Sequence, residues 1–264
     1  MFYWIYDLPT WLAMTLFGAA FVGIFWLGAI LLSPIVKSWL HRQSDFNATL
    51  GNYLGYFGVI YGLLLGLLEI GTYENFTNAE KAVANEAAAL LALYRNTASY
   101  PEPYRSDFRT LIRDYARTTI DDAWPKQRRG IIPLPGASNP VVGIYHRIAE
   151  FEPETRGQQS VHEATLRRFD TFLQTRLERL YSIVSDMPSA MWYVVALGAI
   201  FNFAFLWLFD LRPGHHLLLG GMISFFTGTM ICLIGLLDNP YRGDGDVSVS
   251  PQAFELAYQQ MLQD

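Results

Sequence analysis

The sequence predicts an all-α membrane protein, with four transmembrane helices in two hairpins and a helical soluble domain between the second and third spans. Three observations carry this. Four blocks, Leu12–Leu32, Thr49–Leu68, Met187–Phe209 and Leu217–Leu237, hold no formal charge; each supplies the ~20 residues a helix needs to cross ~30 Å of hydrocarbon. Only 16% of the 264 residues are charged, against roughly a quarter in soluble domains. The polar stretch from Thr72 to Asp186 repeats its apolar residues at helical spacing, and no useful strand alternation appears.

Taken in order, the first ten residues contain no Lys or Arg and no small-x-small cleavage site, so no cleavable signal peptide is expected. Tyr3, Trp4 and Trp11 read as interfacial anchors. The first span ends near Ser33-Pro34, and Lys37, His41 and Arg42 lie in a polar tip that returns the chain. In the second span Gly51, Gly55, Gly58, Gly62 and Gly66 recur every three or four residues. On a helix they form one side-chain-free ridge. Glu69 and Tyr73 continue that side, and Ile60, Leu64 and Leu67 lie opposite.

Beyond Glu69, Ala79, Val83, Ala87, Leu90 and Tyr94 keep a helical stripe. Either the second span continues out of the membrane, the preferred reading, or Thr77 and Glu80 form a capping box that starts a new helix. Pro101 and Pro103 open the next helix, with Tyr104, Phe108, Leu111, Tyr115 and Ile120 as its stripe, ending at Trp124-Pro125. Residues 125–140 have the Pro and Gly density of a loop; a short helix is expected over Val141–Phe151, then a loop through Gly157. Leu166, Phe169, Leu173, Leu177, Leu180, Val184 and Met187 step toward the third span. The two long helices are expected to pair as an antiparallel stalk. Trp192 and Trp207 sit near the ends of the third span, and a turn at 210–216 joins it to the fourth. After Leu237, Ser250-Pro251 starts a short C-terminal helix. The domains are therefore 1–72 (spans about 12–32 and 49–70), 73–186, 187–237 (spans about 187–209 and 217–237) and a tail, 238–264.

Several residues carry both a functional and a structural reading. Glu69, at the end of a span, is a polar site candidate, pore-lining or cation-binding, or an interfacial glutamate among headgroups. A ring of such carboxylates favours cations. The glycine ridge is a helix-packing surface or a pore wall. Arg105, Arg109 and Arg113, continued by Arg117, line an anion vestibule or a solvated face paired with Asp114 and Asp121. Glu86, with Arg176 and Arg179, suggests an ion pair across the stalk. Asp238, Asp244 and Asp246 lack the spacing of a calcium loop and read as a turn. The single cysteine, Cys232, excludes disulfides within the chain. No metal spacing, phosphate loop or nucleophile–base context is present, so no metal, cofactor or catalytic residue is expected. A net charge of −5 without a basic run gives no basis for nucleic-acid binding.

TYENF at Thr72–Phe76, EAAALLALYR at Glu86–Arg95, YPEPYR at Tyr100–Arg105, RDYARTTIDDAWP, LQTRLERL and LLDNPYRGD at Leu236–Asp244 resemble the bestrophin-like bacterial membrane domain family. The likeness covers nearly the whole chain. Through the distant bestrophin chloride channels, it implies four-span subunits, a homo-oligomeric ring (a pentamer), and an anion pore lined by the second span. There Ile60, Leu64 and Leu67 would form a hydrophobic constriction, with chloride or another small anion as permeant. It also implies a bacterial inner-membrane location, with the soluble domain and both termini cytoplasmic. The basic residues flanking the spans are nearly balanced and do not choose the side. Besides a channel, two other classes fit: a non-conducting scaffold or sensor whose soluble domain binds a partner, and a proton-channel or stator-like subunit, which shares the architecture alone.

Overall fold

The computed structural model describes residues 6, 8–40, 45–131, 140–242 and 247–264, with the side chains of 33–40 left out. Tyr3, Trp4, His41, Arg42, Asp244 and Asp246, and the Lys37 side chain, lie outside the described residues. Among those described, nine α-helices follow one another and no strand occurs: α1 Thr10–Leu40, α2 Phe46–Asn96, α3 Tyr104–Thr118, α4 Trp124–Arg128, α5 Pro140–Ala149, α6 Arg156–Ser182, α7 Ser189–Trp207, α8 Pro213–Leu237 and α9 Gln252–Gln263. Four of them, starting at Thr10, Phe46, Ser189 and Pro213, are long and apolar enough to cross a membrane. The chain divides into one unit of residues 1–74, 186–239 and 243–247, and a second of 75–185, 240–242 and 248–264.

In the first unit, α1 packs along α8, and α7 closes the bundle against α1 and α8. Lipid is as apolar as these side chains, so close packing and hydrogen bonds hold the spans together. Glycines allow the closest approaches. A Cβ at Gly198 would stand 2.1 Å from the Tyr61 ring, and one at Gly220 would stand 2.1 Å from that of Phe25. Tyr61 donates its hydroxyl to the Val195 carbonyl at 2.9 Å. Asn202 on α7 donates to Thr227 on α8 at 3.3 Å. Asn47, at the start of α2, donates to the Asp210 carbonyl at 2.7 Å and accepts from the Asp210 amide at 3.1 Å. α1 runs on to Leu40, past the stop expected at Ser33-Pro34. A proline removes one backbone bond, which a membrane helix tolerates where neighbouring groups replace it.

The second unit is built on the rest of α2. No break occurs at Thr77, so the continuing helix is the one formed, and the capping-box alternative is not. Residues Val83, Ala87, Leu90 and Tyr94 are buried as their spacing predicts. α3 buries Phe108, Ile112, Tyr115 and Ala116, one position away from part of the expected stripe. It does not end at Trp124-Pro125. A π-helical turn, Thr119–Ala123, leads directly into α4; the wider turn shifts the register and aims Trp124 and Gln127 inward, where both are buried. Gly130, at φ +73°, closes α4: its amide bonds the Gln127 carbonyl at 2.8 Å and the Ile131 amide that of Lys126 at 2.9 Å, a left-handed stop that only glycine adopts readily.

α6 starts at Arg156 rather than after Gly157, because Thr155 and Gln158 form a reciprocal capping box. Its buried face is Thr165, Phe169, Phe172 and Arg179, whereas Leu166, Leu177 and Val184 of the expected stripe are exposed. α6 runs antiparallel to α2, as expected. Asn96 donates to Thr165 at 2.6 Å at one end, and Glu86 meets Arg179 nearer the other. α9 docks on α3 with Phe254, Ala257 and Met261 buried, so residues 248–264 of the C-terminal tail belong to this unit.

Candidate functional site

The sharpest candidates lie on the span of α2. One face is fixed by its apolar residues: Tyr61 and Leu65 are buried with Val195, Ala199, Ile231 and Ile234, and Phe57, Leu64 and Leu68 pack around them. Thr72 continues this face, donating to the Leu68 carbonyl at 3.0 Å. The remainder of the circumference is bare. Only 11% of the most apolar window of α2 is buried, against 44% in α8.

That bare surface contains the expected site. A Cβ at Gly51, Gly55, Gly58, Gly62 or Gly66 would meet nothing within 4 Å. The ridge is therefore not a packing surface within one subunit. The apolar trio is divided: Ile60 is 69% and Leu67 60% exposed, while Leu64 leans on the Tyr61–Leu65 cluster. Glu69 is half-buried and makes no ion pair among the described residues. Tyr61, whose hydroxyl fixes α2 to α7, was not singled out from sequence. A tyrosine in an apolar run carries no signal of which face it occupies.

Each arginine of the ridge has a partner within the chain. Arg105 pairs with Glu102 at 2.7 Å; its hydrogen bond and that of Ser106 hold the Glu102 carboxyl below its usual value. Arg109 and Arg113 lie beside the Tyr94 ring, 5.0 and 5.3 Å from its centre, and donate to main-chain oxygens, of Asp264 at 3.2 Å and of Met261 at 3.1 Å. Arg117 bridges to Asp121 at 3.4 Å, the paired reading of the ridge.

The expected ion pair across the stalk is formed by Glu86 and Arg179, 0% and 2% exposed. Tyr115 donates to Glu86, and Arg179 also donates to Gln127 at 2.9 Å. Burial opposes the Arg179 charge, yet the adjacent carboxylate holds the guanidinium pKa above its usual value. Burial, with Glu86 beside it, also raises Tyr115. Arg176 sits over the Tyr115 ring at 6.0 Å. Tyr241 meets the Ser182 hydroxyl at 2.8 Å, and burial pushes its phenol up to about 12.

Asp238, read from sequence as part of a turn, is a buried tie. It accepts from the Met187 amide at 2.7 Å and the Trp192 indole at 3.1 Å, joining the end of α8 to the start of α7. Among the described residues, no three His, Cys, Asp or Glu side chains group as metal ligands would.

The sequence pattern of the Bestrophin-like domain family matches residues 10–254. The fold is similar to a crystal structure of a bacterial bestrophin homologue from Klebsiella pneumoniae, with TM-score 0.70, 12% identity, and 93% of this chain and 97% of that chain covered. A single-residue variant of the Klebsiella homologue gives 0.70 at 11% identity, over 93% and 98%. A variant described only as a membrane protein gives 0.69 at 13%, over 93% and 97%. No curated protein matches in sequence.

Proposed function

The chain belongs to the bestrophin-like family, and from that premise we propose that it is a homo-oligomeric membrane channel for small anions, with the span of α2 facing the conduction path. One observation carries the reading: α2 is the least covered of the four spans, although it anchors the bundle through Tyr61. A span bare on most of its circumference needs lipid, a second copy or an aqueous path beside it. Lipid alone does not account for a glycine ridge and a carboxylate on one face, whereas copies around an axis do. In this arrangement Ile60, Leu64 and Leu67 supply the apolar neck, and the opposite side, the glycine ridge with Glu69 at its end, receives the neighbouring subunit. Chloride is the favoured permeant, a pentamer the favoured assembly, and the bacterial inner membrane the location, with the soluble unit and both termini cytoplasmic.

Current recording from purified protein in planar bilayers tests this. Wild type passes current that reverses toward the chloride potential, and Leu64→Ala raises conductance. Silent bilayers containing verified protein, or currents indifferent to Leu64→Ala, would remove α2 from the conduction path. A second reading, a scaffold that binds a partner, is favoured by the exposed Leu166, Leu177 and Tyr181 on α6 and Val184 just beyond it. It predicts silent bilayers and a partner lost when Leu177 and Tyr181 become Ser.

A further inference from the structure

Two buried donors on α4 have no acceptor among the described residues. Trp124 and Gln127 are 2% and 1% exposed, and neither the indole Nε1 nor the amide Nε2 finds a partner. Buried donors are nearly always paired, so two on one short helix point to an acceptor from outside the chain. Three residues apart, they share a face of α4, with Cβ atoms roughly 5–6 Å from each other. We propose that this face holds a small monovalent anion of the halide class, which accepts from both groups.

The chemistry of each donor is fixed by its neighbours. A guanidinium offers no acceptor, so the Gln127 oxygen must be the atom that faces Arg179, 2.9 Å away, and the amide NH2 is turned from it. The Trp124 indole can only donate, and its ring lies against that of Tyr241, 5.8 Å between centres. Tyr241 meets Ser182, which donates to the Arg179 carbonyl at 2.8 Å. The buried face of α4, the end of α6 and Tyr241 therefore come together at one place. Charge then selects an anion over water. An anion taken out of water needs cations to offset it. Arg179 is matched by Glu86, but Arg176, one turn earlier on α6, lies over the Tyr115 ring with its Nε buried and unpartnered. Glu86, Arg176 and Arg179 thus leave one positive charge, which a halide balances. A water would also need acceptors for its own protons, and neither donor supplies one. The site lies within the second unit and stands whether or not the protein conducts ions.

Hydrogen–deuterium exchange on the full chain in detergent tests it, comparing sodium chloride with sodium gluconate at equal ionic strength. Amides of residues 124–131 exchange about tenfold more slowly once chloride reaches about ten times its dissociation constant. Trp124→Phe keeps the ring beside Tyr241 but removes the donor, and abolishes the difference. Arg176→Gln, at a half-buried position, removes the offsetting charge and reduces the difference severalfold should the first variant not fold. Exchange indifferent to chloride, as a bound water would leave it, or a full chloride response in either variant, overturns the proposal.

Discussion

At the scale of single residues, the Glu86–Arg179 pair is a buried tie that is costly to break. Removing one partner of a buried pair leaves the other charge uncompensated, which costs about 3–5 kcal/mol, while replacing both by apolar groups is often neutral. Glu86→Gln is therefore expected to lower the unfolding midpoint of the purified protein sharply, and Glu86→Leu with Arg179→Met to recover much of it. A single variant as stable as wild type would show that the pair is not the internal tie described here. Tyr241 adds a pH dependence. Its folded pKa is raised, so its contribution is complete below the unfolded value of about 10. That contribution is lost as pH rises toward about 12, and Tyr241→Phe should flatten this alkaline limb of the stability curve. The pair was legible in the sequence because both charges adjoin apolar stripes on long helices. Tyr115 and Gln127, which complete it, were not, because only the π-helical turn and the docking of α3 bring them there.

At the scale of elements, α2 explains both what the sequence disclosed and what it withheld. Its length was legible, since no Gly or Pro interrupts the stripe between Gly71 and Pro101. The face of α6 was not, because Leu166, Leu177 and Val184 keep helical spacing whether they meet this chain or something outside it. The glycines behave likewise: spacing marked the ridge on α2, yet the close approaches inside the subunit use Gly198 and Gly220. This separates two substitutions. Gly198→Leu drives a side chain into the Tyr61 ring, an overpacking that typically costs about 1–3 kcal/mol, and should reduce folded subunit. Gly62→Leu meets nothing within its own chain; it should spare the subunit fold and reduce assembly, visible as a smaller particle on size-exclusion chromatography. Equal loss of folded protein in both variants would contradict this division.

At the scale of the whole molecule, the family and the four-span architecture were readable from charge-free blocks and local motifs. The bare side of α2 was not, because exposure belongs to the tertiary structure. In the proposed assembly further copies of the chain cover the exposed faces of α2 and α6, and the proposed path for ions requires those copies. The central claim is thus that the functional particle is a closed homo-oligomer. Native mass spectrometry of the protein released from mild detergent tests it most directly. A closed homo-oligomer gives one dominant species at a multiple of the 30.0 kDa chain mass, with a pentamer favoured; a dominant monomer under the same conditions, unchanged by crosslinking in membranes beforehand, would contradict it.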